Sequence, residues 1–257
     1  LSEIHRTAIV SEKAELGENV QIGPYAIVGD NVTVGDNTII HPHAVVGGCT
    51  TIGESCEIFP GAAVGLRCQD LKYAGERTYV EIGARTVIRE CVTVNASTGE
   101  GSKTVVGGDC FLMAYSHVGH NCCLGNEVIM ANAASLAGHI LIEDHAVIGG
   151  LVGIHQFVHV GTLAMIGGLS KVNQDVPPYS LSDGVPCSVV DINAVGLRRH
   201  GFSAETRRII RRAFKILFKS GLATCHAVEI VKSDLPQLPQ IEHLLEFIAR
   251  SKRGIGR

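Results

Sequence analysis

Six of the chain's 12 histidines fall in one stretch: His117, His120, His139, His145, His155 and His159. An imidazole titrates near neutral pH, so such residues can serve as general bases or bind a metal through a neutral ring nitrogen. His117 and His120 lie three apart in Ser116-His117-Val118-Gly119-His120, a spacing that could supply half of a metal site. It differs from the spacing of the zinc histidines in hexapeptide carbonic anhydrases, and no metal or other cofactor is expected. The other chemistry open to the cluster is proton abstraction by one histidine while its neighbours orient a substrate.

What could gather these side chains is a repeat. Stepping by six from Ile4 to Val172 meets an aliphatic residue at 26 of 29 positions, missing only Asp70, Glu76 and Glu100. The next residue is often Gly (Gly23, Gly35, Gly53, Gly83, Gly107), and the fourth after each aliphatic is usually small (Ala26, Thr38, Ala44, Cys56). Neither the helical period of 3.6 nor the strand period of 2 accounts for this. Three hexads closing one triangular coil do: the aliphatic and small residues point inward, and Gly relieves crowding at the corner. The expected fold is mainly β, a parallel β-helix of hexapeptide repeats over residues 1–186, followed by a small α-helical domain over 187–257. Residues 66–79 and 95–104 contain no good hexad yet keep the phase on either side. They are expected to be loops thrown from the column, where function tends to reside. On this frame His120, His139 and His155 occupy corner or outward-facing slots.

Composition agrees with such a column. Hydrophobic residues make up 46% of the 257 positions but aromatics only 5%, so the core must be filled by aliphatic side chains in uniform layers. Thirty glycines are too many for a helical bundle. With 22 Lys/Arg against 25 Asp/Glu, no basic excess points to nucleic acid. The charge-free run from His145 to Ser170 is long enough for a membrane span, but it carries three histidines and follows the repeat, so none is expected. The polar first residues suggest no signal peptide, and nine cysteines without a C-x-x-C pair suit a reduced, cytoplasmic setting.

The frame ends at Val172, and Pro177-Pro178 marks its exit. Ser203 is a good N-cap for a helix over residues 204–220, with further helices expected over 224–232 and 240–251. Residues 1–186 hold 9 Lys/Arg against 19 Asp/Glu, whereas 187–257 hold 13 against 6. The two regions therefore have different work.

Five segments carry a resemblance: Gln69 to Glu76 (QDLKYAGE), Ser116 to Cys122 (SHVGHNC), Leu136 to His139 (LAGH), Val152 to Phe157 (VGIHQF) and Gln174 to Tyr179 (QDVPPY). With Gly196 to Phe202 (GLRRHGF), they resemble the UDP-N-acetylglucosamine 3-O-acyltransferase family over nearly the whole chain. The resemblance implies a left-handed winding, a homotrimer with active sites between subunits, and the first step of lipid A synthesis. In that step an (R)-3-hydroxyacyl group passes from acyl carrier protein to the glucosamine 3-position of UDP-N-acetylglucosamine. It further implies that His120 is the general base and that the Gly138 backbone N–H faces the oxyanion. His117 and His139 would position substrate, and Asp70 and Lys72 would meet the acyl hydroxyl and the sugar. His155 and Gln156 would touch the nucleotide sugar, Asn193 and Arg199 the nucleotide and its phosphates. Gly168 would leave room for a long acyl chain. The chain departs from the family's pattern at Asn95, Ala96, Asn121, Val195 and His200, which leaves open a 3-amino sugar, giving an amide. An acyl-CoA donor and a non-catalytic scaffold are the other readings. The net charge of the C-terminal region, with Arg207, Arg208, Arg211, Arg212, Lys215 and Lys219, suits an acidic carrier protein.

Overall fold

The computed structural model describes residues 2–256. Three sheets form the sides of a triangular column, with 11, 9 and 8 strands among the described residues. Successive strands of the chain belong to different sheets. Each pairs in parallel with the strand one coil on, 18 residues away, as in Glu3 with Gln21, Ile9 with Ile27 and Glu15 with Thr33. Most strands are only two residues long, too short to accumulate twist, so the sides stay flat. The column is a left-handed parallel β-helix.

The hexad positions do what the pattern requires. Ile40, Ile58, Ile88 and Leu112 stack fully buried along one side, with Ala26, Ala44 and Ala62 filling the adjoining corner. Each buried aliphatic contributes on the order of 1.5–3 kcal/mol by leaving water. At several of the Thr and Cys slots the polar atom donates to a carbonyl of a neighbouring coil. Thr38 Oγ1 donates to Gly53 O at 2.9 Å, Cys56 Sγ to Gly83 O at 3.2 Å and Cys122 Sγ to Ala137 O at 3.1 Å. Burial pushes the Cys122 thiol up to about 12. Such thiols are core fillers, and all nine cysteines are free.

The corners divide two tasks. The third residue after the aliphatic takes the left-handed backbone conformation, as at Asn37 (φ 57°), His139 (φ 58°) and Phe157 (φ 66°). The glycine directly after the aliphatic is there for space. A Cβ on Gly83 would lie 2.4 Å from the backbone N of Gly108, so only Gly lets the coils nest.

Two segments leave the column, residues 67–78 and 96–102. They are shorter than the expected loops, because Leu66, Tyr79, Asn95, Lys103 and Thr104 are held in strands. Cys49 pairs with Tyr79 across 30 residues and Tyr79 with Lys103 across 24, where the usual offset is 18. Each excursion adds whole hexads, so register survives. Both depart from the same edge, where the second sheet turns into the third.

After Lys171–Val172 the first sheet is extended by Ser180–Asp183 and Ser188–Ile192, an antiparallel pair. The expected boundary at 186/187 falls inside the turn of this hairpin, so the sheet runs further than the hexads do. Then come α1 (Ala194–Arg199), α2 (Ala204–Lys219), α3 (Thr224–Asp234) and α4 (Pro239–Arg250). Ser203 caps α2, its side chain accepting from Thr206 N at 3.0 Å. Helix α1 was not expected: six residues are too few to show a helical period. A second core joins Phe214, Leu217, Val231 and Leu244 of the helices to Leu163 and Tyr179 of the column. Among the described residues no helix is long and apolar enough to cross a membrane, and the charge-free run from His145 to Ser170 lies in the coils.

Candidate active site at the second corner

His120, Gly138 and Gln156 are each the second residue after an inward aliphatic of the second sheet: Val118, Leu136 and Ile154. They therefore stack along the edge between the second and third sheets, one coil apart. This is the edge from which both loops depart. The shared hexad phase of 66, 96, 120, 138 and 156 carries that information before any coordinates.

His120 is far more enclosed than a corner slot suggests, with 7% of its surface exposed. The reason is the loop of residues 67–78, which brings the Asp70 carboxylate to 4.0 Å from His120 Nε2. Beneath the ring lies Gly138, where an added Cβ would stand 2.3 Å from both Cε1 and Nε2. His139 meets the ring edge-on at 5.1 Å between centroids and is itself stacked on Phe157 at 4.9 Å. Gly138 is itself buried, and its N–H makes no hydrogen bond among the described residues.

The tautomer of His120 follows from its neighbours. Thr98 N–H donates to Asn121 Oδ1 at 3.1 Å, and Asn121 Nδ2 donates to Thr98 O at 3.0 Å. These two bonds fix which way the amide faces. Its oxygen lies 2.9 Å from His120 Nδ1, which must therefore carry the proton. In the neutral ring Nε2 is then the nitrogen that keeps its lone pair, on the side facing Asp70. Thr98 is anchored in turn by Glu76, whose Oε1 accepts from Thr98 Oγ1 and from Gly99 N, both at 2.8 Å, while Oε2 accepts from Ala74 N at 2.8 Å. With the Gly99 N–H bond foremost, these hydrogen bonds hold the Glu76 carboxyl at about 2. Glu76, Thr98 and Asn121 thus tie both loops to the imidazole. Sequence reasoning gave roles to neither Glu76 nor Thr98; the one signal was that Glu76 breaks the hexad within QDLKYAGE.

Of the other expected site residues, His117 lies on the second sheet with Nδ1 2.7 Å from Thr93 Oγ1. Burial, then the neighbouring His120, lowers its titration, and the same two causes lower that of His139 while Asp70 opposes them. Both flanking imidazoles are therefore biased toward the neutral form. Asp70 Oδ1 accepts from Lys72 N at 2.9 Å, and the Lys72 side chain is exposed. His155 is exposed at the same edge, Nδ1 lying 3.3 Å from Gln156 O.

Three residues are not brought to this edge within one chain. Gly168 follows Ile166 of the first sheet and sits at the corner leading to the second. Asn193 is the N-cap of α1, with Oδ1 accepting from Gly196 N and Nδ2 donating to Leu163 O, both at 2.9 Å. Arg199 is exposed in the last turn of α1.

Residues 175–256 match the family described as Udp N-acetylglucosamine O-acyltransferase, Domain 2, and residues 13–48 match the bacterial transferase hexapeptide repeats. The chain is 52% identical to the acyl-[acyl-carrier-protein]–UDP-N-acetylglucosamine O-acyltransferase of Thermodesulfovibrio yellowstonii, covering 100% of both chains. It is 53% identical, over the same coverage, to the protein of that name from Alkalilimnicola ehrlichii. Among solved structures, LpxA from Acinetobacter baumannii superposes with a TM-score of 0.95 at 43% identity, covering 99% of each chain. LpxA from Bacteroides fragilis, a UDP-N-acetylglucosamine acyltransferase, gives 0.96 at 40% identity, covering 99% of this chain and 100% of the other.

Proposed function

The chain belongs to the UDP-N-acetylglucosamine O-acyltransferase family, and from that premise we propose that His120 is its general base. The enzyme moves an acyl group from acyl carrier protein to an oxygen of UDP-N-acetylglucosamine, in lipid A biosynthesis. The observation that carries the mechanism is the pair of fixed atoms at the second corner: His120 Nε2, left to act as base because Asn121 holds the Nδ1 proton, and the unpaired N–H of Gly138 beside it.

The acceptor is the 3-hydroxyl of the glucosamine ring and the donor an (R)-3-hydroxyacyl thioester. His120 Nε2 takes the hydroxyl proton as the sugar oxygen bonds to the thioester carbonyl carbon. The carbonyl oxygen becomes an oxyanion and is met by Gly138 N–H. Collapse of the tetrahedral intermediate re-forms the carbonyl and breaks the C–S bond. The imidazolium returns its proton to the departing carrier thiolate. Asp70 and Lys72 meet the acyl hydroxyl and the sugar, and His117, His139, His155 and Gln156 position the nucleotide sugar.

The distance of Gly168, Asn193 and Arg199 from His120's edge supports a site completed between copies, in a homotrimer packed on flat sides. Exposed Tyr115, Leu151 and Leu169 lie along the same corner as Gly168 and offer apolar surface for a long acyl chain. On α2, Arg212 and Lys215 are exposed without an ion-pair partner among the described residues, a patch suited to an acidic carrier protein. The work is placed in the cytoplasm, where acyl carrier protein is expected.

The test is an assay of the purified chain with 3-hydroxyacyl carrier protein and UDP-N-acetylglucosamine, with product identified by mass. His120→Ala should lower kcat by at least ~100-fold while the trimer stays folded. Near-normal turnover would remove the assignment.

A further inference from the structure

A second group of chemistry-bearing side chains lies away from the second corner, at the edge where the third sheet turns into the first. Glu127 and His145 are each the third residue after an inward aliphatic, Leu124 and Ile142, in coils that pair directly. His200, just past the end of α1, leans over them, its ring 4.7 Å from that of His145. Ligand atoms of Glu127, His145 and His200 all lie within 4.8 Å of one another.

Two further features suit a metal ion. His145 Nδ1 is shut off from solvent and has no hydrogen-bond partner, although Glu127 Oε2 lies 3.3 Å away. That distance is what two ligands of one tetrahedral ion adopt, roughly 3.3 Å for metal–ligand bonds of about 2.05 Å. The other ring is prepared from behind. His200 Nδ1 lies 3.0 Å from Gly196 O, a carbonyl that can only accept. Its Nδ1 therefore carries the proton and Nε2 keeps the lone pair a metal needs. His145 and His200 also line an open cleft of about 350 Å³ with Thr162, Tyr179 and Phe202, which leaves room for water or a small anion at remaining coordination positions.

We propose that Glu127, His145 and His200 form a site for a divalent transition-metal ion of the zinc and cobalt class, pinning the end of α1 to the column. Two neutral imidazoles and one carboxylate suit such an ion better than magnesium or calcium, which favour all-oxygen sets. The site lies away from the corner of His120 and Gly138, and the metal-binding readouts below do not use acyl transfer, so its fate and that of the proposed mechanism can be told apart.

The probe is Co²⁺ added to the untagged full chain, read by equilibrium dialysis and visible absorption. One ion per chain is expected, with ligand-field bands in the visible and no intense near-ultraviolet sulfur bands, which would instead report the free cysteines. His145→Gln and His200→Gln should each weaken binding by at least ~10-fold. A rise in Tm with Co²⁺ should be present in the wild type and absent in both variants. These side chains lie outside both buried cores, so the variants fold, which their circular dichroism checks. Failure of the wild type to bind one ion per chain, sulfur bands, or binding indifferent to both substitutions would each overturn the site.

Discussion

Gly138 lies so close beneath the His120 ring that a Cβ at residue 138 would stand 2.3 Å from the ring's Nε2. The glycine with the unpaired N–H is thus also the floor on which the proposed general base rests. Gly138→Ala has to push the imidazole off its place. An ångström of misplacement costs on the order of 100-fold in rate, so kcat should fall about that far. Secondary structure by circular dichroism should be unchanged, because the contact lies outside the stacked aliphatic layers. Wild-type kcat in the variant would mean that the ring is not held as described.

The neutral Asn121 amide orients His120 without adding charge. Asn121→Asp places a carboxylate against Nδ1–H and stabilises the imidazolium. The acid limb of the kcat/KM profile should move to higher pH, and Asn121→Ala should lower kcat without that shift. If the aspartate variant leaves the limb in place, residue 121 is not coupled to the ring whose ionisation sets that limb.

The docking of α4 on the column should depend on pH. Glu143 lies 2.9 Å from His159 Nε2 and 3.1 Å from His243 Nε2. Burial works to raise the Glu143 carboxyl, but the close imidazoles of His159 and His243 and the hydrogen bond from Thr162 N–H outweigh it and hold it at about 2. The hydrogen bond to Glu143 raises His243 above its ordinary 6.5. Glu143's contribution is complete above 4.5 and is lost as pH falls toward about 2. His243's is complete below 6.5 and is lost as pH climbs through its raised value. Hydrogen-exchange protection of Pro239–Arg250 should therefore be greatest between those limits and decline on the alkaline side. Glu143→Gln should flatten the profile. A flat profile in the wild type would contradict the linkage.

If the α2 cations receive an acidic carrier protein, the encounter is screened by salt. The KM for acylated carrier should rise as ionic strength goes from about 0.05 to 0.3 M, with kcat little changed, and Arg212→Glu with Lys215→Glu should reduce that slope. A KM indifferent to salt would place the carrier elsewhere.

The six-residue period by itself determined the three-sided column, the inward residues, the preserved register across both excursions and the edge shared by His120, Gly138 and Gln156. It could do so because each coil repeats a local rule, so phase alone assigns every side chain to a side or a corner. The Ser203 cap of α2, and the existence of α2 and α4, were legible because a cap residue and a helical period are equally local signals. Tertiary structure alone decided what closes over that edge. The path of residues 67–78 has no period to follow. Only its fold-back buries His120 against Asp70, and only the Glu76–Thr98–Asn121 chain settles which imidazole nitrogen is free. The seat of Asn193 as a helix cap, and the meeting of His200 with His145 and Glu127, likewise depend on how α1 packs on the coils. Contacts between segments tens of residues apart are set by packing and not by the hexad, and so they leave no regular trace in the sequence.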